Sequence, residues 1–258
     1  EYDELLRSPC LSGFVRAICR RGLGVGADGV IVAGDQGNGQ GVDIVARFLE
    51  PDGSESRLCG NGTACFAYWC LSEGLVAGPK VAILTAAGTA QAQPNEHDCS
   101  RIRVCVPNPH GLVLDRSVKA CGRTWTVHTL DTGVPHAVIF VRDVATVDVA
   151  RCGAAIRHHP DFHDLGGVNA NFAQVLGVGR LRVRTFEFGV EAETLACGTG
   201  STAAAIIAAI KQRWPAPYCA GDEPVQVEVR GGETLRIWFT LDPRKGLYDV
   251  CLETRARA

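Results

Sequence analysis

A nine-residue stretch that occurs twice constrains this chain more than any other feature. Residues 55–63 read Glu-Ser-Arg-Leu-Cys-Gly-Asn-Gly-Thr and residues 193–201 read Glu-Thr-Leu-Ala-Cys-Gly-Thr-Gly-Ser, so Glu, Cys, two Gly and a hydroxyl residue recur in register 138 residues apart. A single Cys-Gly-x-Gly is read as a tight turn before a helix, but two in register mean two related half-chains. The 258 residues are enough for two domains of ordinary size. Each copy leads from a turn into an apolar segment with helical character, Thr63–Leu71 and Ser201–Arg213, the second halted by Trp214-Pro215. Each cysteine is therefore expected at or just before a helix N-terminus.

That position has chemical consequences. Unpaired N–H groups and the positive end of the helix dipole favour an anion, so a thiol there is more acidic than its ordinary value of about 8.5. The glycines let the backbone approach a ligand, and the same N–H groups can hold a carboxylate or the enolate-like oxygen formed when an α-proton is removed. Two such units suit inversion of a carbon centre, in which a thiolate takes a proton from one face and a thiol delivers one to the other. The two thiols would titrate as a coupled pair.

Other chemistries fit less well. Gly22-Leu23-Gly24-Val25-Gly26-Ala27 lacks the third glycine of a dinucleotide fingerprint. The four lysines, Lys80, Lys119, Lys211 and Lys245, have no setting that suggests a pyridoxal Schiff base. Cysteine spacings match no zinc pattern, and His158, His159 and His163 are assigned to a solvated loop beside Pro160. No metal and no cofactor are expected. The 26 basic and 28 acidic residues form no basic run, which leaves no nucleic-acid or membrane partner and favours a small molecule. No apolar run approaches a membrane span, and the twelve dispersed cysteines are read as thiols, most of them buried, in a cytoplasmic protein. Residue 1 is Glu and no Met occurs, so the chain is taken to lack its native start.

Short apolar runs bounded by turn residues predict strands at Val42–Phe48, Val81–Leu84, Ile102–Val106, Ala137–Val141, Leu181–Phe186, Val225–Val229 and Leu235–Phe239. Pro107-Asn108-Pro109-His110-Gly111 is the strongest internal breaker and is taken as the domain boundary.

On these motifs the sequence resembles the diaminopimelate epimerases, cofactor-independent two-cysteine enzymes. The similar segments are Gly24–Gly29, Asp52–Glu55 through Cys59–Gly62, Gly133-Val134-Pro135-His136, Val168–Phe172, and Glu187 through Glu193–Gly200. The resemblance implies an α+β protein of two pseudo-symmetric mixed α/β domains, residues 1–110 joined by 251–258 and residues 111–250. Each would be a barrel-like sheet around a central helix, with the active site in the cleft between them. It implies that Cys59 and Cys197 are the acid/base pair, that Gly60, Asn61, Gly198 and Thr199 hold the substrate, and that Asn169 and Glu187 also contact it. His136 and Glu187 would support the thiols. The implied reaction is epimerisation of LL- to meso-diaminopimelate, a step in lysine and peptidoglycan precursor synthesis, and analogy with the family implies a homodimer.

Three positions depart from the family pattern. Glu50 and Val134 stand where Asn is usual, and Phe188 replaces an Arg that grips the distal carboxylate. An aromatic ring cannot supply a bidentate guanidinium contact. The alternative reading is therefore a racemase or epimerase for a different amino acid. A redox or ligand-binding protein with paired cysteines is a further alternative, disfavoured because Cys59 and Cys197 form no Cys-x-x-Cys.

Overall fold

A computed structural model describes residues 10–36 and 41–256 of the chain. The chain divides into two compact units, Glu1–Val104 with Arg255–Ala258, and Cys105–Thr254.

The first unit opens with helix α1, Leu11–Cys19, whose buried stripe of Leu11, Val15 and Cys19 packs on Val32 and Leu49. Strand β1 (Val30–Gln36) pairs antiparallel with β2 (Ile44–Leu49), and β2 turns back into the two-residue β3 (Glu55–Ser56). Gly53 in that turn has φ +81°, and a Cβ there would lie 2.7 Å from the Ser12 carbonyl oxygen, so both conformation and space demand glycine. Helix α2 (Gly60–Ser72) then crosses over to β4 (Val81–Thr85), which lies parallel to β2, and β5 (Gly88–Pro94) and β6 (Arg101–Cys105) complete the order β1-β2-β4-β5-β6. The helix packs on β4 and β5.

The second unit contains the same succession. Strand β10 (Asn169–Gly177) pairs antiparallel with β11 (Arg180–Glu187), β11 turns back into β12 (Ala192–Glu193), and helix α4 (Gly198–Gln212) crosses to β13 (Val225–Val229), parallel to β11. Strands β14 (Thr234–Asp242) and β15 (Gly246–Arg255) follow antiparallel. The unit adds β7 (His110–Ala120), β8 (Arg123–Asp131) and β9 (Pro135–Phe140), with helix α3 (Val149–Arg157) crossing from β9 to β10. A short helix, α5 (Ala216–Cys219), follows Pro215. Helix α4 is buried from Gly198 to Ala209 and packs against β8, β9, β10, β11, β13 and β14, which makes it the centre of this unit's core. Its run of alanines permits close approach of the strands, while Ile206 and Ile207, both fully buried, fill the remaining space.

All seven predicted strands and both predicted helices are present, with ends displaced by a few residues. Three differences are physical. The helices begin at Gly60 and Gly198, three residues earlier than expected, because the cysteines themselves cap them. Strand β7 carries a weak alternating signal because most of it is exposed, and helix α1 is amphipathic but only nine residues long. His159 and His163 flank and enter a 3-10 turn, Pro160–Leu165, anchored by the fully buried Phe162 rather than a free loop. The cysteine expectation also needs correction. Cys105 and Cys251 form a disulfide, and of the other ten only Cys19, Cys70 and Cys197 are buried.

Candidate active site

The two repeated cysteines are N-caps with nearly the same backbone. Cys59 has φ −125°, ψ 113° and Cys197 has φ −123°, ψ 107°, both extended, so each chain enters its helix at the same angle. Each sulfur accepts a hydrogen bond from the N–H of the second motif glycine, Gly62 at 3.3 Å and Gly200 at 3.4 Å. A sulfur accepting an N–H at a helix start is in the setting that stabilises thiolate. Thr199 Oγ1 lies 3.6 Å from the Cys197 sulfur. The copies differ in access, for Cys59 is exposed and Cys197 is buried.

The second glycine of each motif has a steric reason. A Cβ on Gly62 would sit 3.1 Å from the Phe48 ring and 3.3 Å from the Cys59 sulfur. At Gly200 it would lie 2.1 Å from Asn171 Oδ1 and 3.1 Å from the Cys197 sulfur. At Gly200 only glycine lets the thiol, the helix start and the neighbouring strand meet, while at Gly62 the fit is tight.

Asn171 is the hub of the second copy. Its Oδ1 accepts from the Thr185 hydroxyl, and its Nδ2 donates to the carbonyls of Ala137 and Asn169 and meets His136 Nδ1 at 3.2 Å. Carbonyls only accept, so this network fixes the amide orientation of Asn171. Burial holds the His136 pKa down at about 3, so the ring is neutral. Its Nε2 is buried and has no hydrogen-bond partner. On β9, His136 pairs with Asn169 of β10.

Asn169 and Glu187 are tied to nearby loops. Asn169 Oδ1 accepts from the Phe188 N–H at 2.9 Å, and its Nδ2 donates to the Pro135 carbonyl at 3.1 Å. Glu187 accepts a hydrogen bond from the Thr194 hydroxyl. Thr132 donates to the Thr199 carbonyl at 3.1 Å and so ties the turn before Pro135 to the start of α4. Phe188 is partly exposed and carries the Arg157 guanidinium 3.8 Å above its ring; Arg157 also binds Glu191 at 3.1 Å.

The Glu of each repeat has a structural use that its sequence position did not disclose. Arg47 Nε and Nη2 donate to Glu55 Oε1 and Oε2 at 2.9 and 2.8 Å. Arg184 Nε and Nη2 donate to Glu193 Oε1 and Oε2 at 2.6 and 2.8 Å. The same fork pins the short hairpin in front of each cysteine. Among the described residues, no three His, Cys, Asp or Glu side chains gather as metal ligands.

The repeated thiol-capped helices extend to the whole-chain comparison. The family model described as Diaminopimelate epimerase matches residues 3–105 and 128–249, most of the chain. The chain belongs to the diaminopimelate epimerase family. Within that family, a diaminopimelate epimerase of Aquifex aeolicus is 38% identical over 89% of this chain and 78% of its own length. Another, of Moorella thermoacetica, is 33% identical over 90% of this chain and 84% of its own. The fold is shared more widely. A probable proline racemase of Agrobacterium radiobacter aligns with TM-score 0.74 at 16% identity, covering 96% of this chain and 79% of that one. A hydroxyproline epimerase of Agrobacterium vitis aligns with TM-score 0.74 at 17% identity, covering 98% and 79%.

The structure thus links His136 through Asn171 to the helix start that carries Cys197, Gly198 and Thr199, ties Asn169 and Glu187 to the segments at Phe188, Pro135 and Thr194, and sets Cys59, Gly60 and Asn61 at the other helix start. Asn171 lay inside a family-like segment but received no role from sequence. Its signal was there in principle, as a polar residue in an otherwise apolar strand with no turn to explain it.

Proposed function

We propose that this protein is an isomerase that interconverts LL- and meso-diaminopimelate without metal or pyridoxal, using Cys59 and Cys197 as the two proton-transfer groups. The observation that carries the reading is the pair of matching helix starts, each with a thiol that accepts the N–H of the second motif glycine. In one direction a thiolate removes the α-proton, and the electron pair moves toward the α-carboxylate. The N–H groups of Gly60 and Asn61, or of Gly198 and Thr199, stabilise the charge that develops there. The opposite thiol then gives its proton to the other face. One proton is lost and one gained, and the two sulfurs exchange roles in the reverse reaction.

His136 is neutral and enters this scheme by fixing Asn171 beside the Cys197 motif, while Glu187 and Asn169 shape the adjoining loop. The reading takes the enzyme as cytoplasmic and homodimeric, like its family. A disulfide such as Cys105–Cys251 is uncommon in a reducing compartment, and titrating the thiols of protein taken from the cytoplasm decides whether the bond exists there.

One observation favours a second reading. Phe188 presents an aromatic ring, and the nearest guanidinium, Arg157, is engaged by Glu191. This suits a substrate with one carboxylate. Incubation of the purified protein in D2O with LL-diaminopimelate and with single-carboxylate amino acids, followed by NMR, separates the readings. Diaminopimelate must acquire deuterium at one α-carbon as the meso form appears. Exchange confined to a single-carboxylate amino acid supports the second reading, and no exchange in any substrate overturns both.

A further inference from the structure

The two hairpins that precede the thiols correspond in three dimensions in a way that the sequence repeat conceals. The repeat register sets Glu50 against Phe188. The strand pairing does not. When the Arg47–Glu55 and Arg184–Glu193 forks are superposed, Leu49, which pairs with Glu55, corresponds to Phe186, which pairs with Glu193. The next residue is Glu50 in one unit and Glu187 in the other. The turn of the second unit is one residue longer, and this offsets the linear match.

The partners of these two carboxyls correspond as well. The Ser56 hydroxyl binds Glu50 and the Thr194 hydroxyl binds Glu187, and each hydroxyl residue directly follows the forked Glu. Their neighbours on the strand also agree. Phe48, two residues before Glu50, packs on Gly62 of the Cys59 motif. Thr185, two residues before Glu187, holds the Asn171 oxygen that packs on Gly200 of the Cys197 motif. Residues i and i+2 of a strand share a face, so Glu187 lies on the face of β11 that carries Thr185, and Glu50, the first residue past the end of β2, holds the equivalent place at the start of its own hairpin.

We propose that Glu50 is a positioning residue for Cys59, as Glu187 is for Cys197, and that each carboxylate opposes the acidifying effect of the helix start on its own thiol. This rests on the two-thiol reading above. A thiol left to the helix dipole alone would be a weak base, whereas a carboxylate in the hairpin that precedes it restores a proton affinity nearer the working pH, where acid/base exchange is most efficient. The groups facing Glu50 are Asp52 in its own turn, the Ser56 hydroxyl of β3 and the Cys19 thiol of α1, while Arg16 of α1 binds the Asp52 carbonyl. Burial raises the Glu50 carboxyl above its ordinary value, and the Ser56 hydroxyl opposes the shift.

Iodoacetamide alkylation at pH 7, followed cysteine by cysteine by peptide mass spectrometry, tests the inference without substrate. Glu50→Gln is expected to speed alkylation of Cys59 by about threefold or more and to leave Cys197 within about twofold, with Glu187→Gln doing the reverse. The kcat for diaminopimelate should fall about tenfold or more in Glu50→Gln, and Glu50→Asp should restore most of it. If the Gln variant does not fold, Ser56→Ala serves, since it disturbs the same carboxyl and should change the Cys59 rate alone. An unchanged Cys59 rate, or equal changes at both cysteines, overturns the proposal. If Cys59 responds as expected while diaminopimelate is not turned over, the substrate assignment fails and the role of Glu50 stands.

Discussion

Asn171 Oδ1 occupies the space that a side chain on Gly200 would need, 2.1 Å from the ideal Cβ position. The contact joins the strand network around His136 to the helix start that carries Cys197. Gly200→Ala must displace Asn171 or the helix, and displacing Asn171 also breaks its bonds to Thr185, Ala137 and Asn169. A loss of roughly 1–3 kcal/mol or more in stability is expected, with near-complete loss of turnover. Gly62→Ala meets contacts of 3.1–3.3 Å and should cost less. Urea unfolding and initial rates of both variants check the ranking, and equal effects would refute it.

Replacing either thiol should stop the reaction without unfolding the protein. A hydroxyl is a far weaker acid than a thiol, so Cys59→Ser and Cys197→Ser are each expected to lower kcat by about 10²–10⁴-fold. Circular dichroism should remain that of the parent. Near-parental turnover in either variant would remove the two-thiol mechanism.

His136 makes stability depend on pH. Its folded-state pKa of about 3 lies below the ordinary 6.5 because burial disfavours the charged ring. The unfolded chain therefore binds a proton from about pH 6.5 downward while the folded one does not. Stability is full above that pH and falls as the pH drops toward about 3. At pH 5 the expected loss from this residue is about 2 kcal/mol. Denaturant titrations at pH 7 and 5 should show a smaller loss in His136→Gln than in the parent.

The Cys105–Cys251 bond closes a loop of 146 residues that spans almost the whole second unit. Constraint of an unfolded loop of that length corresponds to about 2–5 kcal/mol. The paired Cys105→Ser/Cys251→Ser variant should melt several degrees lower while keeping its kcat, because neither sulfur belongs to the thiol motifs. An unchanged melting temperature would show that the bond does not constrain the unfolded chain.

At the substrate end, Phe188→Arg restores the guanidinium usual in the family. Leaving a carboxylate without its Arg partner costs on the order of 2–5 kcal/mol where the pair is buried and less where it is exposed, so kcat/KM for diaminopimelate should rise about tenfold. Arg157, stacked on that ring, is held by Glu191 and need not oppose the new charge. No gain, in a parent that already has a low KM for diaminopimelate, would mean that another cation holds the distal carboxylate.

The sequence alone determined the two helix starts at the repeated cysteines, the apolar segment that follows each, and the resemblance to the family. Those signals are local: a cap residue, two glycines and an apolar run. It also displayed Phe188, a departure that needs no structure to notice. The tertiary structure decided what lies across from these motifs. That Asn171 forces Gly200, that His136 is buried and neutral, that Cys105 meets Cys251, and that Glu50 matches Glu187 rather than Phe188 all depend on strand register between distant segments. A one-residue difference in turn length shifts that register without disturbing any local pattern, so pairing of strands, and not the order of residues, fixes which side chains share a face.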